Sequence, residues 1–139
     1  MEFISRLFCK LIFSEDSTLN LIPRDLGESM ITGQVGKAPV ERIPTATGTI
    51  GSLNISIPVT LTVSVLKTSP AFQNYWGRIL NNGYVGGTCT FYDDANNSHT
   101  ISEVSVSTDN MPNGNGTEAS VDFKVEGNML VNKQALIGF

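Results

Sequence analysis

The stretch that decides the fold runs from residue 53 to residue 66 and reads LNISIPVTLTVSVL. Every second residue from Leu53 to Val65 is apolar, and the residues between them are small and mostly polar. Because successive side chains of a strand point to opposite faces, this alternation predicts a long strand with one buried face and one wet, uncharged face. Pro58 cannot donate a hydrogen bond to a neighbouring strand, so we expect a bend, a bulge or a sheet edge there.

Further strands are predicted on both sides of this stretch. Residues 119–130 (ASVDFKVEGNML) alternate in the same way and form the last strand, and residues 28–35 form a strand of modest quality. Residues 87–106 are expected to form a hairpin, with a β-bulge near Ser102-Glu103 because the apolar parity changes there. Repeated Pro and Gly residues predict that residues 36–52 form a long loop.

One short helix is predicted at about residues 70–82. Ser69 suits the N-cap and Pro70 the first helical position. Asn-Asn-Gly at 81–83 tolerates the positive φ of a helix end. Five apolar residues fall on one helical face, and we expect Trp76 among them to be a core residue. These residues are Phe72, Tyr75, Trp76, Ile79 and Leu80.

The first residues carry an apolar pattern that fits two structures. Over residues 3–13 the apolar side chains match one face of a helix, but alternation through Phe3, Leu7 and Leu11 also permits a strand. We therefore expect an N-terminal arm, 1–18, followed by a single β-sandwich domain, 19–139. The predicted fold class is mostly β, a sandwich or barrel with one short α-helix and with an extended N-terminal arm and loop.

Composition narrows the function classes. Charged residues make up only 16% of the 139 residues, against about 25% in an average soluble protein. Charge depletion is typical of interface centres and is a first indication of assembly. The net charge of −4 and the lack of any basic run argue against a surface that grips nucleic acid. No segment approaches the ~20 apolar residues that a membrane span needs, and no signal peptide is recognised.

Residues for catalysis or metal binding are scarce. His99 is the only histidine, lies beside a predicted turn, and is expected to be solvated and without an orienting partner. Cys9 and Cys89 match no metal spacing and are expected to be free thiols. Asp93 and Asp94 lack the ligand spacing of a calcium loop and are better explained as turn residues. We expect no catalytic residues, no metal, no cofactor and therefore no enzyme.

Taken in order, the elements resemble the tail tube proteins of contractile-tailed bacteriophages. The resemblance rests on ISIPVTLTVSVLK at 55–67, SPAF at 69–72 with Trp76, GTCTFYD at 87–93 and ASVDFKVEGN at 119–128. It covers roughly residues 28–132, and residues 1–18 have no assignable counterpart. It is a pattern of elements and short strings, not a catalytic signature.

The resemblance implies a β-sandwich subunit that closes into six-fold rings, which stack into a tube inside a contractile sheath. The implied partners are other copies of the chain, the sheath protein, and, in the lumen, the tape measure protein and passing DNA without specific binding. The implied location is the virion tail, assembled in the cytoplasm of the host bacterium, with no membrane contact. The architecture is shared with the needle subunit of type VI secretion systems, which is the first alternative. A secreted β-sandwich binding module and an enzyme with an unfamiliar site remain further alternatives.

Two groups of residues are expected to serve such a tube. A lumen through which DNA slides should offer few cations, because each phosphate contact adds affinity and friction. The lumen-lining candidates are Ser56, Thr60, Thr62, Ser64, Ser120, Asp122, Lys124 and Glu126. The candidates for contacts between adjacent rings are the apolar residues of the arm and the loop, namely Phe3, Leu7, Phe8, Val40, Ile43 and Ile50.

Overall fold

Strands dominate residues 3–132, the part of the chain that the structure, a computed structural model, describes. The mostly β fold class with one short helix is thereby confirmed. The strands are β1 (Lys10–Phe13), β2 (Leu26–Val35), β3 (Val40–Thr45), β4 (Gly48–Leu53), β5 (Ser56–Leu66), β6 (Thr88–Tyr92), β7 (Ser98–Ser107) and β8 (Ser120–Leu130), and the helix α1 spans Pro70–Asn81.

Six of the strands form one antiparallel sheet in the order β1-β6-β7-β8-β5-β2. Its longest pairing joins β5 to β8, from Ser56 opposite Leu130 to Leu66 opposite Ser120. The alternation predicted for both strands is confirmed, because the apolar residues of β5 and β8 face each other in buried pairs such as Val63 and Phe123. The sheet strand begins at Ser56 rather than Leu53, since residues 54 and 55 separate it from β4.

The two edges of this sheet approach each other at one end. Leu11 of β1 exchanges backbone hydrogen bonds of 3.0 and 2.9 Å with Leu21, which leads into β2. Cys9, directly before β1, and Ile31 of β2 line the same groove. The sheet therefore curls toward a barrel, and the side chains on its concave side form a single core.

The helix α1 covers part of this core. Ser69 Oγ accepts a hydrogen bond from the N–H of Ala71, and Pro70 occupies the first turn, so the predicted helix start is confirmed. Tyr75 is the fully buried aromatic side chain of the helix, and its ring lies 5.4 Å from that of Phe123. Trp76, which we expected in the core, is only half-buried and packs on the outer side of this cluster.

The predicted N-terminal arm contributes to the same core. It contains a 3-10 turn at Arg6–Phe8 and then β1, so it is neither one helix nor one strand. Alternate residues of β1 point inward, and Leu11 and Phe13 are buried. Leu11 and Phe13 of the arm therefore belong to the subunit core, whereas the ring-contact candidates Phe3 and Leu7 are exposed. The division into 1–18 and 19–139 itself stays a prediction.

The predicted loop at 36–52 is wrong, because β3 and β4 form a two-stranded antiparallel ribbon there. Pairing runs from Val40 opposite Leu53 to Thr45 opposite Gly48. Pro44 is tolerated because each strand of an isolated pair has a free edge, where a missing N–H costs nothing. Side-chain amides hold the base: Asn54 Nδ2 donates to the carbonyl of Ala38 at 2.6 Å, and Asn132 Nδ2 to that of Pro39 at 2.8 Å.

Two bulges shape the sheet. The β7–β8 register shifts between Ser102 and Ser105, with Glu103 at φ +54°, which confirms the predicted bulge. A second, unpredicted irregularity lies in β2 between Leu26 and Ile31. Pro58 lies at neither of these bulges. It lies where β2 ends, and its carbonyl accepts a hydrogen bond from the backbone N–H of Gly36.

Candidate functional site

The two polar strips predicted from sequence lie side by side on the convex face of the sheet. Thr60 lies directly opposite Glu126, and Thr62 directly opposite Lys124. Directly opposed residues of an antiparallel pair point to the same face. The sequence identified each strip separately, and the β5–β8 pairing joins them into one surface, called here the polar face.

Neighbouring strands widen the polar face with residues that were not predicted as candidates. Thr32 of β2 lies opposite Thr62, and Ser105 and Ser107 of β7 lie opposite Glu126 and Lys124. The alternation of apolar and polar residues in β7 after its bulge indicates that Ser105 and Ser107 point away from the core. Their position next to β8 could not be read from that alternation, because it depends on the strand order.

The polar face carries two exposed carboxylates, those of Asp122 and Glu126. Its one cation among the candidates, Lys124, is ion-paired with Asp109 from the loop that precedes β8. The hydrogen bond and charge of Asp109 raise the pKa of Lys124 above its usual range. Thr108 Oγ1 holds that loop in place by donating to the carbonyl of Asp122 at 2.9 Å. The face therefore offers no uncompensated cation among the predicted residues.

Ser64 does not belong to the accessible part of the polar face, which corrects its prediction as a lumen-lining residue. The irregular segment of β2 passes over it, and Ser64 is buried. Its hydroxyl donates to Ser120 Oγ at 2.9 Å. Gly27 lies so close that a Cβ there would be 2.7 Å from Ser64 Oγ, so the close approach depends on glycine. Ser56, at the other end of β5, is exposed.

The ribbon is a second candidate surface. Val40 and Leu53 form a cross-strand pair on one of its faces, and Ile43 and Ile50 form a pair on the other. All four are between 45% and 60% exposed, so neither face of the ribbon is packed against the described residues. The candidates Phe3 and Leu7 are also exposed, whereas Phe8 is half-buried with its ring stacked on that of Phe3.

An apolar cleft of about 340 Å³ lies between the free side of β2 and the β6–β7 hairpin. It was not predicted, since it arises where the curled sheet fails to close. Its apolar lining includes Val35, Val59 and Met129, and Asp93 and His99 lie at its rim.

Asp93 and His99 form a pair at that rim. His99 Nε2 lies 3.0 Å from Asp93 Oδ2, so the expectation that His99 lacks an orienting partner is wrong. Asp93 Oδ1 also accepts the backbone N–H groups of Ala95 and Asn97, which confirms the turn interpretation. The bond from His99 and these backbone bonds lower the pKa of Asp93 to about 2, so the carboxylate is charged at neutral pH.

The described residues show little reactive chemistry. Burial raises the pKa of the Cys89 thiol to about 12, and burial raises that of Cys9, which makes both poor nucleophiles at neutral pH. Within residues 3–132, no three His, Cys, Asp or Glu side chains are grouped so that they could hold a metal ion. No helix in the same range is long and apolar enough to cross a membrane.

Neither a protein-family model nor a curated protein matches this sequence.

Proposed function

We propose that the chain is a structural subunit that assembles with copies of itself into stacked six-fold rings, forming the tube of a contractile phage tail. The observation that carries the proposal is the ribbon, whose apolar pairs are half-exposed on both faces. An isolated two-stranded ribbon is only marginally stable in water, so an apolar one that is held at its base gains stability from a partner. Such a surface is typical of an assembly contact.

The polar face supports the second half of the proposal, a channel that lets DNA pass. Its accessible side chains are hydroxyls and the carboxylates of Asp122 and Glu126, and its candidate cation is neutralised by Asp109. A wall of this kind repels or ignores a phosphate backbone. On this proposal the polar face lines the lumen, and the ribbon contacts the adjacent ring.

The first test is the assembly state of the purified protein. Mass measurement in solution and negative-stain imaging should show hexameric rings and tubes at high protein concentration. Replacing Ile43 and Ile50 by Thr keeps β-branched residues in the ribbon and removes apolar surface, so rings should form without stacking into tubes. A wild-type chain that stays monomeric at high concentration would contradict the proposal.

The second test concerns the lumen. Phage carrying Asp122→Lys together with Glu126→Lys should assemble normally and eject DNA slowly or not at all. A control reverses an exposed carboxylate outside the polar face, Glu15→Lys, and should eject at the wild-type rate. Normal ejection by the first variant would exclude the polar face as the channel wall.

A further inference from the structure

The apolar cleft has an unpaired strand along one side. Among the residues that the structure describes, β2 lies at the end of the sheet order and pairs only with β5, so one edge of its Thr32–Val35 half has no strand partner there. That half contributes Val35 to the cleft. A free edge beside apolar side chains favours the addition of another strand, because backbone hydrogen bonds and apolar burial are gained together.

The ribbon has the complementary set of features. Within residues 3–132, β3 and β4 pair only with each other, so each has an outer edge that is free of described strands. The Ile43 and Ile50 pair lies in the outer half of the ribbon, separated from the turn at its tip by the Pro44–Thr49 and Thr45–Gly48 pairs. Among residues 3–132, Arg42 of the ribbon has no ion-pair partner.

The ribbon does not fill the cleft of its own chain. No ribbon residue lines the cleft, and Ile43 and Ile50 are 50% and 60% exposed. The charges favour another copy as the occupant: Arg42 lies on the ribbon face opposite Ile43 and would stay outside the cleft, where the charged carboxylate of Asp93 lies at the rim. Asp94, which is exposed, adds a second carboxylate in the adjoining groove.

We infer that the tip of the ribbon of one copy inserts Ile43 and Ile50 into the apolar cleft between β2 and the β6–β7 hairpin of a second copy. The inference rests on the proposed self-assembly and names its contact. The ribbon and the cleft are different surfaces, so the contact is head-to-tail. Head-to-tail contacts propagate into closed rings or open-ended filaments rather than stopping at a dimer.

Disulfide trapping tests the contact directly. One chain carries Ile43→Cys and a second chain of different mass carries Val35→Cys, and the two are mixed and mildly oxidised. A disulfide needs Cα atoms within about 7 Å, so we expect a mixed dimer of intermediate mass. The control uses Leu80→Cys on α1 in place of Val35→Cys; Leu80 is 70% exposed and Val35 54%, so the control position is at least as accessible. Mixed-dimer yields no higher than those of the control pair would overturn the inference.

Charge reversal provides a second measurement that does not depend on disulfide geometry. Arg42→Glu and Asp94→Arg should each lower the fraction of assembled protein at least several-fold, and the two changes mixed as separate chains should restore it. Failure of the mixture to recover would count against the contact. If tubes form while both measurements fail, the proposed function stands and this contact is wrong; if no assembly forms under any condition, the proposed function itself fails.

Discussion

The hydroxyl of Tyr75 donates a hydrogen bond of 2.7 Å to the backbone carbonyl of Leu19, and both residues are completely buried. The bond ties the middle of α1 to the segment that follows β1. It thereby joins two parts of the chain that are 56 residues apart.

Tyr75→Phe should therefore lower the free energy of unfolding by about 1–3 kcal/mol, because it leaves the carbonyl of Leu19 without this buried partner. Chemical denaturation of the wild type and the variant measures the difference. Tyr84→Phe is the matched control, since Tyr84 is 58% exposed, and it should change stability very little. Equal effects of the two substitutions would show that the buried bond has no special role.

Gly27→Ala should destabilise the fold by about 1–3 kcal/mol through overpacking. The new Cβ would lie 2.7 Å from Ser64 Oγ and 2.9 Å from Ser120 Cβ, and neither atom belongs to a long, flexible side chain that could move away. Gly114→Ala is the control, because a Cβ there meets no atom within 4 Å. Thermal unfolding of the two variants should separate them, and a Gly27→Ala protein as stable as the control would mean that β2 can shift away.

Stability should fall at alkaline pH because of Cys89. The pKa of its thiol is raised by burial from 9.0 to about 12, so the folded state keeps a proton that the unfolded state loses. This contribution is complete below pH 9 and is lost as the pH rises to about 12, at up to about 1.4 kcal/mol per pH unit. Cys89→Ala should flatten the pH dependence in that range, whatever its effect on absolute stability. Parallel curves for the variant and the wild type would contradict the assignment.

Asn132→Gly should loosen the ribbon without unfolding the sheet. The side-chain amide of Asn132 donates to the carbonyls of Pro39 and Asn54, at 2.8 and 2.6 Å, and so joins the two strands at the base. Glycine removes these bonds and still tolerates the φ of +53° at this position. Hydrogen exchange should become faster in the amides of β3 and β4 and stay slow in β5 and β8. Unchanged exchange in the ribbon would show that its base is held by other contacts.

Much of the sheet could be predicted because its signals are local. The alternation in β5 and β8, the Ser69-Pro70 helix start and the parity change near Glu103 each report the conformation of neighbouring residues. Each of these predictions agrees with the structure in type and within a few residues in position. The ribbon was not predicted, because Pro44 and the glycines at 48 and 51 are uncommon inside strands. They are accommodated here because β3 and β4 form an isolated pair with free edges.

The candidate surfaces could not be predicted, because they are formed by strands that are distant in the sequence. The polar strips were recognised one by one, but their union requires β5 to lie beside β8, 54 to 74 residues away in the sequence. Ser64 is buried because Gly27 packs against it, and the two residues are distant in the sequence. His99 has Asp93 as a partner because the hairpin turn places the two side chains next to each other. The cleft results from incomplete closure of the sheet and has no sequence signal of its own.

The central pairing of the sheet also has a consequence for how the chain is made. β5 is complete at Leu66, but β8 begins only at Ser120, so 54 further residues (120 − 66) must be translated before the pairing can start. Until then β5 can pair only with β2, and its apolar face lacks the core residues around Phe123. Distant contacts of this kind make folding slow, on the order of milliseconds to seconds for β proteins. The newly made chain therefore exposes the apolar face of β5 throughout this interval, which makes the time before release from the ribosome a period of aggregation risk.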